Sequence, residues 1–222
     1  KRGDLEKAEK RLREGVDLID TATEPQPQMR AQFLSELGWI TLRRGQLTAA
    51  QQLLEEGLAL VTETRHYDVL SSILNRLGAI YYHRSEWTKA ADYVKQALEI
   101  REQWGDIVGM ARSYNNLAIV NKYAGDWDQA LHNYQRSLEL MKQIGEMEGL
   151  ALAYTNLGVL YTERAEWEKA GETLQQSLAI TQRIAHPYEL AQAYMNLGRL
   201  YLRRGDHAEA KRHLEAARPL YE

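Results

Sequence analysis

The sequence predicts an all-α protein built from repeated pairs of helices. Three observations carry this prediction: a repeat of forty residues, a helical spacing of the apolar residues within each repeat, and a composition rich in strong helix formers. The chain has 222 residues and only four prolines. Because proline interrupts helices, so few of them leave long stretches able to form helices.

The forty-residue repeat is marked by a leucine followed by glycine or alanine, with a further alanine twelve residues later. We number each repeat so that the small residue after the leucine is position 8 and the later alanine is position 20. Five copies follow one another without insertion or deletion, which indicates a structural repeat rather than chance. The pairs are Leu37-Gly38, Leu77-Gly78, Leu117-Ala118, Leu157-Gly158 and Leu197-Gly198, and the alanines are Ala50, Ala90, Ala130, Ala170 and Ala210.

Each repeat is predicted to form two antiparallel helices. Positions 4, 7, 8 and 11 lie on one face of the first helix and are expected to form its core face. A turn signal such as Gly125-Asp126 follows, and a second helical pattern begins at position 17, for example at Trp127. Small residues at positions 8 and 20 are expected to let the two helices pack closely. Arginine recurs at position 14, where it is expected only to interact with the helix dipole; these residues are Arg44, Arg84, Arg164 and Arg204.

This pattern resembles the tetratricopeptide repeat family. The resemblance implies a right-handed superhelix of helical hairpins, an α-solenoid, with a concave inner face. Longer repeats without a closing proline are similar to those of kinesin light chains, Leu-Gly-Asn-type adaptors, and bacterial signal-transducing ATPases and transcription activators. Departures from the family pattern include Ala118 in place of glycine. The residues that carry the resemblance are, in the fourth repeat, Tyr154, Leu157-Gly158, Tyr161, Ala170 and Leu174.

The whole chain, residues 1–222, is expected to be one repeat array. A half repeat precedes the five full ones, and Pro25 and Pro27 predict a longer loop after it. We expect both ends to be cut from a longer array, so that exposed apolar ends could pair and give end-to-end self-association. The predicted boundaries are 1–28 for the half repeat and 29–66, 67–106, 107–146, 147–186 and 187–222 for the full repeats.

Several functional classes are disfavoured by the sequence. The chain has no cysteine, its six histidines are scattered, and its net charge is −3, without the basic excess typical of nucleic-acid binding. It contains no membrane-length apolar run and no signal segment. Gly-rich phosphate loops, nucleophile elbows and zinc-protease motifs are absent. We therefore predict a cytoplasmic protein that is not an enzyme and has no metal or cofactor, no membrane and no nucleic-acid partner.

The concave face is predicted to lie opposite the core face of each first helix. At about 100° per residue, positions 2, 6, 9 and 13 cluster opposite positions 4, 7, 8 and 11. Position 6 carries a row of asparagines, Asn116, Asn156 and Asn196, with Asn75 and Asn115 at position 5 beside it. Amide side chains can pair with the backbone of an extended peptide, or they can bond to a neighbouring helix and hold the repeats in register. Both interpretations stay open, since one residue can do both.

Two further properties of this face suggest what it binds. Position 9 forms an apolar strip that includes Trp39 and Ile119. Five arginines oppose two glutamates among the inner positions, which favours an acidic or phosphorylated partner segment. The predicted contact residues are Trp39, Asn75, Arg76, Arg112, Asn115, Asn116, Ile119, Asn156, Asn196 and Arg199.

The sequence therefore predicts a protein-interaction scaffold inside a larger signalling or regulatory protein, holding a peptide or protein segment in its groove. The alternative is a sensor array that binds a small peptide signal, or the parent protein's own effector domain, and switches its activity.

Overall fold

The computed structural model describes residues 2–62 and 66–221, with side chains from residue 6 onward. This part of the chain is helical and contains eleven α-helices, with no strand among the described residues. The helices are α1 (Arg2–Asp20), α2 (Pro27–Arg43), α3 (Leu47–Val61), α4 (Tyr67–His83), α5 (Trp87–Trp104), α6 (Ile107–Tyr123), α7 (Trp127–Ile144), α8 (Met147–Glu163), α9 (Trp167–Ile184), α10 (Pro187–Arg204) and α11 (His207–Ala217), followed by a 3₁₀ turn at Arg218–Leu220.

The chain divides into two compact units, residues 1–126 and 127–222. In the first unit, α2 packs on α3 and α4 on α5 as hairpins, and α2 also contacts α4. In the second unit, α8 packs on α9 and α10 on α11, and α8 contacts α10. Within each unit, these first helices thus pack on their own second helix, and α2 and α8 also contact the first helix of the next repeat. This pattern confirms the predicted all-α repeat fold.

The predicted longer loop after the half repeat is present, although it ends two residues earlier than the predicted boundary at residue 28. Residues 21–26 link α1 to α2, but Pro27 is the first residue of α2. A proline is tolerated there because the first amide of a helix has no intrahelical acceptor.

The core confirms close packing at positions 8 and 20. Ala50, Ala90, Ala130 and Ala170 at position 20 have no exposed surface. A Cβ atom added to Gly78 would lie 2.6 Å from Cγ2 of Val94, so a larger residue there would require the Val94 side chain or one of the two helices to shift.

Position 10 is also buried in every repeat, although the sequence pattern placed only positions 4, 7, 8 and 11 in the core. The reason is that a first helix has two helical neighbours, so its buried surface is wider than one hairpin requires. The position 10 residues are Ile40, Ile80, Val120, Leu160 and Leu200.

The prediction that position 14 arginines serve only the helix dipole is wrong for two of them. Arg44 forms an ion pair with Glu9 of α1. Arg164 donates to Asp128 of α7 at 2.8 Å. Each arginine therefore reaches the second helix of the preceding repeat, because the end of a first helix lies beside the start of that helix. Long guanidinium side chains can bridge such a gap.

Candidate partner-binding face

The inner positions 2, 6, 9 and 13 all retain exposed surface, and none of these twenty residues is buried. Their exposure agrees with the helical argument that placed them opposite the core.

In the first unit, Trp39 and Arg76 lie together on neighbouring first helices. Trp39 is 39% exposed, so part of its ring is open to solvent. The guanidinium carbon of Arg76 lies 5.9 Å from the centre of the Trp39 ring, a cation–π distance. Arg76 also donates to Ser35 Oγ at 2.7 Å and forms an ion pair with Glu36. Its charge is therefore already partly neutralised within the protein.

The asparagines of the first unit form a bridge between α4 and α6. Asn116 Nδ2 donates to Asn75 Oδ1 at 3.1 Å, and Asn115 Nδ2 lies 3.4 Å from Asn116 Oδ1. The bridge joins first helices of successive repeats, which is the arrangement expected if these amides hold the repeats in register. Both Asn75 and Asn116 are only half-buried, so each also keeps exposed surface.

Two other predicted contact residues stand near this bridge in sequence. Arg112 is exposed, and no ion pair or hydrogen bond of its side chain is formed with the described residues. Ile119, one turn beyond the asparagines, is half-buried. Together they place a cation and an apolar surface on either side of the amides.

An aromatic cluster at the turn ends of α4, α5 and α6 was not among the predicted contact residues. The Tyr82 and Tyr123 rings meet edge to face at 5.3 Å, and Trp87 stacks on Tyr123 at 5.9 Å. Tyr123 is 54% exposed. Burial, followed by the hydrogen bond and charge interaction with Tyr123, raises the pKa of Tyr82 to about 12, so its hydroxyl stays neutral near pH 7. The sequence feature that could have predicted this cluster is the presence of aromatic residues at positions 12, 13 and 17 of adjacent repeats.

In the second unit the predicted residues are more dispersed. Arg199 Nη2 donates to Asn196 Oδ1 at 3.1 Å, both on α10. Asn156 is half-buried on α8, and Leu152 at position 2 is 55% exposed. This face therefore offers amides and an exposed apolar side chain, but no aromatic cluster like that of the first unit among its described residues.

The described residues include no group of three or more histidine, aspartate or glutamate side chains arranged to hold a metal ion. None of the described helices is long and apolar enough to cross a membrane.

A tetratricopeptide repeat family model matches residues 69–143 and 149–222. The chain belongs to the tetratricopeptide repeat family. The crystal structure of BtubC (BKLC) from P. vanneervenii is similar to this chain, with 26% identity, a TM-score of 0.83, and coverage of 98% of this chain and 91% of that one. No curated protein matches the sequence at a significant level.

Two more distant structures share the tetratricopeptide fold. A Rap protein complexed with competence and sporulation factor is 14% identical, with a TM-score of 0.83 over 99% of this chain and 61% of that one. A signal transduction ATPase with a tetratricopeptide repeat sensor, from Pyrococcus horikoshii, is 22% identical, with a TM-score of 0.75 over 88% of this chain and 31% of that one.

Proposed function

We propose that this protein is an interaction module that binds an extended peptide or protein segment along the inner face of its first helices. The observation that carries the proposal is the open inner face, where Trp39, Tyr123 and half-buried asparagines stay accessible, while the opposite face of the same first helices buries Leu37, Leu77 and Leu117. Exposed aromatic groups supply contact area at a low entropy cost, and amides can pair with a peptide backbone. The module acts by binding and not by catalysis.

The charge of the first unit's inner face favours an acidic or phosphorylated partner. The carboxylate of Glu36 neutralises the positive charge of Arg76, whereas Arg43 and Arg112 are exposed and pair with none of the described carboxylates. Unpaired guanidinium groups bind carboxylates and phosphates with directed hydrogen bonds. A partner segment bearing aspartate, glutamate or phosphate would therefore gain the most on this face.

We place the module in the cytoplasm, within a larger signalling or regulatory protein. The Rap protein, whose repeats share this fold, is complexed with competence and sporulation factor. A sensor array is the second candidate function, and it is favoured by the shared fold with the tetratricopeptide sensor of the P. horikoshii ATPase. In that case the ligand is a small peptide signal or the parent protein's effector domain.

A displayed library of random peptides, selected on the immobilised protein, tests the first proposal. We expect selected peptides to be enriched in aspartate and glutamate. A fluorescent copy of the best peptide should bind Arg112→Glu and Trp39→Ala at least tenfold more weakly than the unchanged protein, measured by anisotropy.

Lys95→Glu is the matched control, because Lys95 is exposed on a second helix and has the same charge as Arg112. It should bind the peptide as the unchanged protein does. Selected peptides without acidic enrichment would refute the charge preference, and equal binding by both inner-face variants would refute the proposed face.

A further inference from the structure

A cavity of about 320 Å³ lies between the start of α4, the end of α5 and the start of α6. Its wall includes Tyr67 and Trp104, whose rings stack with their centres 4.1 Å apart, and Ile100. Trp104 is 59% exposed. The volume is at the low end of the range for small-molecule sites, which is about 300–1,000 Å³. None of the lining residues belongs to the inner positions.

The repeat itself shows that the fold does not require these side chains. Arg101 occupies position 31, where three of the other repeats bury an uncharged residue, Val61, Met141 and Thr181. Trp104 stands where the next two repeats have Ile144 and Ile184. Since the same backbone is built with uncharged and smaller residues elsewhere, the polar and aromatic set at this place needs another explanation.

Arg101 is the most unusual member of the set. It is only 7% exposed and lines the cavity. Its Nη1 donates to Gly109 O at 3.0 Å and to Ser113 Oγ at 2.6 Å, so the side chain is held in one place. Its Nε donates to no acceptor among the described residues and lies 3.8 Å from Asp106 Oδ2. A buried donor without an acceptor is costly, which sets Arg101 apart from the buried residues at the same position of other repeats.

The charge on Arg101 is incompletely compensated. Burial lowers its pKa, the Asp106 carboxylate acts in the opposite direction, and Arg112 lowers it further. An acceptor bearing negative charge would therefore be stabilised next to this guanidinium.

The other charged residues of the cavity are carboxylates. Asp68 and Asp106 line it together with Arg101. A simple anion would be attracted by Arg101 but repelled by the two carboxylates. A simple cation would be attracted by the carboxylates but repelled by Arg101. A small zwitterion satisfies both signs of charge.

We propose that this cavity binds a free α-amino acid with an apolar side chain. The carboxylate of the ligand accepts from Arg101, and its ammonium group lies towards Asp68 and Asp106. Its side chain packs against the stacked rings of Tyr67 and Trp104. This site is separate from the proposed peptide face, so either proposal can fail without the other.

The test is calorimetric titration of the full chain with leucine and phenylalanine, followed in parallel by tryptophan fluorescence. We expect saturable binding of both amino acids and a fluorescence change from Trp104. N-acetylphenylalanine lacks the ammonium group, phenylalaninamide lacks the carboxylate, and glycine lacks the side chain. Each of these three should bind at least tenfold more weakly than phenylalanine.

The variants copy residues from other repeats so that the fold is retained. Arg101→Met takes the residue of Met141, and Trp104→Ile takes that of Ile144. Arg101→Met and Asp68→Asn should each weaken phenylalanine binding at least tenfold, and Trp104→Ile should also remove the fluorescence change. Trp39→Ala, on the inner face, should leave phenylalanine binding unchanged.

Three outcomes would overturn the proposal. The first is that neither amino acid binds at millimolar concentration. The second is that the singly charged derivatives bind as tightly as phenylalanine, which would indicate an ordinary apolar pocket or a partner's side chain. The third is that folded Arg101→Met binds phenylalanine normally. If Arg101→Met does not fold, the proposal is overturned when both Trp104→Ile and Asp68→Asn bind phenylalanine with unchanged affinity.

Discussion

Position 15 of every repeat has a positive φ angle, whichever residue occupies it. The angle is 78° at Gly45 and 88° at Gly205, and it is 61° at Ser85 and 59° at Ala165. The turn from first to second helix therefore imposes a left-handed residue even where the sequence provides a side chain. For an L-residue this conformation costs about 1–2 kcal/mol.

We predict that Ala165→Gly raises the free energy of unfolding by about 0.5–1 kcal/mol, since relief of the left-handed conformation exceeds the extra entropy of glycine in the unfolded chain. Gly45→Ala should lower it by a similar amount. A Cβ atom at Gly45 would meet nothing within 4 Å, so the backbone angle alone accounts for the loss. Urea denaturation measures both changes. Stabilisation by Gly45→Ala would show that the turn is not strained.

At the scale of the helix, two glycines of the second unit have opposite roles. Gly158 is at position 8 of α8, and a Cβ atom there would lie 2.6 Å from Cγ of Leu174 on α9. Gly171 is inside α9, and its added Cβ would come no closer than 3.9 Å to Leu200. Gly158 is thus required by the close packing of its hairpin, whereas Gly171 only weakens its helix.

Gly158→Ala is expected to destabilise the protein by about 1–3 kcal/mol through overpacking against Leu174. Gly171→Ala should instead stabilise it by up to about 1 kcal/mol, because alanine is the better helix former and fits the available space. Thermal unfolding followed by circular dichroism gives the sign of each change. If Gly158→Ala melts at or above the temperature of the unchanged protein, position 8 does not limit the approach of the two helices.

At the scale of the molecule, apolar surface is exposed near both ends of the chain. Leu18 of α1 is 72% exposed. The last hairpin and the segment after it expose several large apolar side chains. Each of these side chains is at least one-third exposed, and they are Tyr188, Met195, Leu202, Leu214 and Tyr221. Exposed apolar surfaces of this kind tend to pair.

We predict weak self-association that increases with protein concentration, measured as the weight-average mass in light scattering. Met195→Lys combined with Leu202→Glu should keep the protein monomeric, because charged side chains cannot be buried in an apolar contact. Leu152→Glu is the control, since Leu152 is 55% exposed on the inner face of α8. A mass that does not change with concentration, or a monomer produced by Leu152→Glu alone, would contradict end-to-end pairing.

The sequence alone was sufficient to predict the repeat, the helical hairpins and the face of the first helices that remains accessible. The leucine–glycine pair and the later alanine, such as Leu157-Gly158 and Ala170, recur at fixed positions. Because an α-helix has one fixed period, local geometry then decides which face of its helix each residue occupies. Whether Asn116, Asn156 and Asn196 touch a partner remains a prediction, because accessibility is not contact.

Contacts between residues about forty positions apart were decided by tertiary structure. The bond from Asn116 to Asn75, the ion pair of Arg76 with Glu36 and the cluster around Tyr123 depend on how far each helix slides and rotates against the next. Side-chain size and charge at many positions set that register together, and periodicity contains no information about it. The sequence therefore determined which residues face outward, whereas only the packing of neighbouring helices decided that Arg101 would be buried beside a cavity with one donor unsatisfied.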